Sequence, residues 1–132
     1  MFRISFATFL AAAVVSMCGI GASAQQPTRI TFAKGQTKKI VTGTLRGYKS
    51  KRTFVVRVRK GQTLTTESIN SQITIRVDAP KGAPKYEQDM AADCHDRNEV
   101  SPTGSGDYKI TVTECMKADA WKGTFRFKLT IK

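Results

Sequence analysis

Asp93-Cys94-His95-Asp96 is the one stretch that sets metal-ligating and acid–base side chains next to one another, and His95 is the only histidine in the chain. A metal enzyme needs several such ligands converging on one point, and a hydrolase needs a nucleophile with a base in reach or two placed carboxylates. Consecutive residues on an extended backbone point alternately to opposite faces, so this tetrapeptide does not supply a converging set. No phosphate-cradling glycine loop and no Gly-x-Ser-x-Gly elbow occurs elsewhere. The chain therefore reads as a binding protein, with no catalytic residue, metal site or cofactor, and with His95 on a surface loop.

The amino terminus bears on what the cysteines do. Residues 1–24 begin with a single positive charge at Arg3, continue through an apolar stretch over residues 4–15, and end with small residues at Ala22 and Ala24. That is the layout of a secretory signal peptide, cleaved after about Ala24. A membrane anchor is the alternative, but Ser5, Thr8, Ser16, Gly19 and Gly21 interrupt the uncharged run. Lipid attachment at Cys18 is another, with Met17 standing where Gly or Ala is usual. Cleavage leaves one domain, residues 25–132, bound for the periplasm or the medium. Only Cys94 and Cys115 remain in it, and in an oxidising compartment two cysteines of a small domain pair. Closing a loop of about 20 residues in this way stabilises by roughly 3 kcal/mol.

Charge is unevenly spread. Between Gln25 and Thr66 stand eleven Lys or Arg and no acid, whereas all ten Asp and Glu lie from Glu67 onward. Lys49, Lys51, Arg52, Arg57 and Arg59 crowd together beside Tyr48. A surface of one sign attracts polyanions at long range. Export removes nucleic acid from reach, so the partners expected are an acidic protein cleft or an anionic polymer or lipid of the envelope, such as lipopolysaccharide or peptidoglycan carboxylates.

The elements that must carry these residues are strands. Residues 52–60 (RTFVVRVRK) alternate Phe54, Val56 and Val58 with Val55, Arg57 and Arg59, giving an inward apolar face and an outward basic one. On this reading Phe54 belongs to the core and is no stacking platform. Residues 72–78 and 124–132 alternate in the same way, and weaker candidates span 29–33, 39–45, 63–69 and 108–115. Turn signals separate them at Lys34-Gly35, Lys60-Gly61, Asn70-Ser71, 80–84 and 103–107. Residues 85–93 are the best helical stretch, a short polar excursion before Cys94. About seven short strands predict an all-β antiparallel sandwich or jelly-roll-like fold, with a five-stranded OB-type barrel as the alternative.

The run Thr42-Gly43-Thr44-Leu45-Arg46-Gly47-Tyr48, followed by TFVVRVRKGQTLTTES, ITIRVDAPKG, SPTGSGDYKITVTE and the closing FRFKLTIK, resembles the bacterial periplasmic inhibitors of goose-type (g-type) lysozyme. More loosely it is similar to the pre-peptidase C-terminal β-sandwich domains of secreted bacterial proteins. The first resemblance covers most of residues 29–132. It implies a sandwich whose loops plug a lysozyme's active-site cleft, with a tyrosine after a glycine and basic side chains before the last strand meeting catalytic carboxylates. Tyr48 after Gly47 matches that tyrosine. The loop before the last strand has no arginine, so Lys117 takes the basic position, and Trp121 is the candidate anchor of the contact. A second hypothesis gives Lys49, Lys51, Arg52, Arg57 and Arg59 to an anionic envelope polymer.

Overall fold

A computed structural model describes residues 26–69, 72–88, 94–115 and 122–132. The expected signal segment, the expected turn at Asn70-Ser71, the second half of the expected polar excursion, and Lys117 and Trp121 lie outside the described residues. Eight strands run β1 (Thr28–Ile30), β2 (Lys38–Arg46), β3 (Lys51–Val58), β4 (Leu64–Ile69), β5 (Ile73–Asp78), β6 (Arg97–Val100), β7 (Gly106–Glu114) and β8 (Lys122–Ile131). They form two four-stranded sheets, β1-β3-β7-β5 and β2-β8-β4-β6. Every pairing is antiparallel except β1 with β3. The expected all-β sandwich with one disulfide is what the chain forms. Among the described residues there is no helix, and Lys85 to Gln88 are irregular.

The core lies between the sheets and follows the alternation. Phe54, Val56 and Val58 of β3 face Phe125, Phe127 and Leu129 of β8, all of them buried. Phe54 meets the Phe125 and Phe127 rings edge-on, with centroids 6.2 and 5.8 Å apart, an arrangement favoured by the ring quadrupoles. Gly43 makes room for this cluster. It lies directly opposite Phe125 in the β2–β8 register, and a Cβ there would sit 2.4 Å from the ring.

β6 is the strand that the sequence pattern hides. Its inward residues are Asn98 and Val100, so a polar side chain occupies what alternation reserves for an apolar one. Asn98 is nevertheless satisfied. Its Nδ2 donates to Thr66 Oγ1 at 3.1 Å and to the Ile75 carbonyl at 2.8 Å. Its Oδ1 accepts from the Tyr86 hydroxyl at 2.8 Å and from His95 Nε2 at 2.7 Å. A buried amide with such partners costs little, whereas one left unpaired would cost about 1–3 kcal/mol. Burial also pushes the Tyr86 hydroxyl pKa up.

Candidate functional site

The strand register brings three connections to one end of the sandwich. Arg46 lies opposite Lys122, Lys51 opposite Thr113, Ile73 opposite Glu114 and Ile69 opposite Arg126. The β2–β3, β4–β5 and β7–β8 connections therefore leave the sheets together. The first of these carries Tyr48, which is 38% exposed and one of two large hydrophobic side chains exposed among the described residues.

Three features fix that connection. Gly47 adopts φ 99°, a conformation open to glycine and strained for other residues. The turn closes with Ser50 N–H donating to the Gly47 carbonyl at 2.9 Å. The Gly47 N–H itself donates to Glu114 Oε1, also at 2.9 Å. Glu114 is 1% exposed, so its carboxylate reaches the Tyr48 turn from inside the sandwich. A hydrogen bond to a charged group contributes about 1.5–3 kcal/mol. The next residue, Cys115, is bonded to Cys94 across a Cα–Cα distance of 4.9 Å. Carboxylate and disulfide thus tie the end of β7 to both the Tyr48 turn and the segment before β6. His95, next to Cys94, is committed to Asn98.

Cations flank the tyrosine in sequence and across the β2–β8 register. Arg46 and Lys122 face each other as a direct cross-strand pair on the outer surface of the second sheet. Lys49, Lys51 and Arg52 follow on the other side of the turn. Among the described residues none of these five has an ion-pair partner. Like charges directly opposite in a sheet are destabilising, by roughly 0.2–1 kcal/mol. The free protein therefore holds a repulsive pair beside its exposed tyrosine.

The five basic residues grouped by sequence do not share one face. Lys49, Lys51 and Arg52 gather at the Tyr48 end, whereas Arg57 and Arg59 lie toward the far end of β3. There Arg57 is opposite Asp107, and Asp107 is held by both guanidinium nitrogens of Arg29, at 3.0 and 2.8 Å. The Arg29 hydrogen bonds keep the Asp107 carboxyl pKa below its ordinary value, with Arg57 adding to the effect. The outer face of the first sheet therefore mixes signs, as does the Arg76–Asp78 pair on β5 at 3.0 Å.

Sequence reasoning did not select Arg46, Lys122 or Glu114. The first two meet only through the β2–β8 register, which no local pattern reveals. Glu114 did leave a signal. It continues the inward series Tyr108, Ile110 and Val112, and a carboxylate on an inward parity is unusual enough to mark.

No protein-family model matches the chain, and no curated protein does. Solved structures do match. Aeromonas hydrophila PliG, a periplasmic lysozyme inhibitor of g-type lysozyme, superposes with a TM-score of 0.63 at 19% identity, over 80% of this chain and 96% of that one. Salmonella Typhimurium PliG gives 0.63 at 19% identity, over 83% of this chain and all of the other. A mutant of the Escherichia coli protein gives 0.58 at 17% identity, over 83% of this chain. The chain has the PliG fold. At these identities the likeness is one of architecture.

Proposed function

We propose that this is an exported periplasmic inhibitor, without enzymatic activity, that occludes the active-site cleft of a g-type lysozyme with the Tyr48 end of its sandwich. The observation that carries the reading is an exposed tyrosine on a turn pinned from within by Glu114 and flanked by cations that have no ion-pair partner among the described residues. A pre-organised aromatic projection loses little freedom on docking. The cations suit a cleft lined by the carboxylates that glycoside hydrolysis uses, and a lysozyme carboxylate seated between Arg46 and Lys122 would relieve their repulsion. Lys117 and Trp121, in the connection that leaves the sheets at the same end, extend the contact in this proposal. The PliG fold and the proteins named with it support the choice of enzyme.

The test is turbidimetric. Lysis of cell walls by a g-type lysozyme is followed with increasing amounts of the purified protein. The expected result is stoichiometric inhibition at or below micromolar concentration, reduced by added salt as the cationic contacts are screened. Full lytic activity at micromolar excess would sink the reading for that enzyme.

A further inference from the structure

At the end of the sandwich opposite Tyr48, three connections enclose a groove of about 610 Å³. Lys60 stands in the β3–β4 connection, Lys81 follows β5, and Ser105 precedes β7, while Ala83, Pro84 and Pro102 contribute apolar surface. We propose that this groove binds a saccharide bearing a phosphate or carboxylate group.

The charge of the groove is the first argument. No acid lines it, and among the described residues neither lysine has an ion-pair partner. Two other grooves differ in having acids in their linings. In the one along β5, Arg76 is paired with Asp78 at 3.0 Å. In the one on the outer face of the second sheet, Glu67 lies 3.4 Å from Lys128 and 3.9 Å from Arg97. Two lysines in a lining without a carboxylate give the groove charge of one sign, and lysine meets an anion as a point charge that either oxyanion satisfies.

Rigidity is the second. Gly61 N–H donates to the Thr103 carbonyl at 2.8 Å, and Thr103 N–H donates to the Gln62 carbonyl at 2.9 Å. The Thr103 hydroxyl donates to the Arg59 carbonyl at 2.7 Å. Gly104 packs so closely on the 80–84 turn that a Cβ would sit 2.7 Å from the Ala83 Cβ. All three walls are therefore locked together before any ligand arrives. Ser105 Oγ accepts from Lys60 N–H at 3.2 Å, which leaves its own proton to donate to an anion. Proline and alanine surface beside a hydroxyl and two cations matches the mixed character of a sugar, whose C–H faces need apolar contact and whose anionic substituent needs charge.

This site lies at the other pole from the proposed inhibitory end, so its test is independent of any lysozyme. Amide NMR spectra of the purified protein are titrated with glucose 6-phosphate, inorganic phosphate and glucose. Glucose 6-phosphate is expected to shift the Gly61, Lys81, Gly82 and Ser105 amides and to saturate at a concentration at least five-fold lower than inorganic phosphate. Replacing both lysines, Lys60→Gln with Lys81→Gln, is expected to weaken that binding at least ten-fold while the rest of the spectrum is unchanged. Absence of those shifts, or shifts that survive the double substitution, would overturn the proposal. Equal affinity for inorganic phosphate would overturn the saccharide assignment.

Discussion

Gly47 and Glu114 stand 67 residues apart in sequence, and the amide of one donates to the carboxylate of the other at 2.9 Å. The contact crosses from the first sheet to the turn that leaves the second, so the turn that carries Tyr48 is held by a residue only 1% exposed. Replacing Glu114 with Ala should destabilise the domain by about 1–3 kcal/mol, the cost of leaving a partly buried donor unpaired. Glu114→Gln keeps an acceptor and should cost less. Urea denaturation measures the stability, and exchange of the Gly47 amide, faster in the alanine variant than expected from global unfolding, separates loosening of the turn from general weakening.

Tyr48→Ala should leave stability within about 0.5 kcal/mol of the parent, as for an exposed side chain. The inhibition constant should rise by at least 30-fold, in keeping with a central aromatic contact worth about 2 kcal/mol or more. Turbidimetric inhibition alongside thermal melting gives both numbers. An unchanged inhibition constant would remove Tyr48 from the interface.

Arg46 and Lys122 make an opposite pair of expectations for one substitution. Lys122→Glu turns a repulsive cross-strand pair into an attractive one and should stabilise the free protein by roughly 0.2–1 kcal/mol. The same change should weaken inhibition and flatten its dependence on salt. Melting temperatures and inhibition curves at low and high ionic strength check the two signs together.

The strands were legible in the sequence wherever one face is wholly apolar, as in β3 and β8, because period-2 alternation records burial directly. β6 was not, since Asn98 is buried by virtue of four partners drawn from Thr66, Ile75, Tyr86 and His95. Tyr48 was legible as a motif. So were Lys49, Lys51 and Arg52 beside it, but the Arg46–Lys122 pair was not, because Lys122 comes from the half of the chain where acids and bases balance, and only pairing with β2 sets it beside Arg46.

Gly43→Ala should destabilise by about 1–3 kcal/mol, since a Cβ there meets Phe125 at 2.4 Å and overpacking displaces core side chains. Phe125→Leu removes the clashing ring edge. The double variant should therefore be more stable than the sum of the single effects predicts, and a double-mutant cycle in urea measures the difference.

Asp107 sets a pH dependence. Its carboxyl pKa is lowered in the folded protein, chiefly by hydrogen bonds from Arg29. The ionised form thus favours folding, fully so above the unfolded value of about 4. The contribution declines as pH falls from there and is gone below the folded value. The difference in melting temperature between the parent and Asp107→Asn should therefore be present at pH 7 and close on acidification through that range.

β8 holds the middle of its sheet, bonded on one side to β2 and on the other to β4, and β7 does the same between β3 and β5. Both central strands come from the last quarter of the chain. A polypeptide emerging amino terminus first cannot close either sheet until they arrive, because β2 and β4, like β3 and β5, are not bonded to each other. The order of assembly runs against the order of synthesis, so neither sheet can close until the strands of the last quarter have been made.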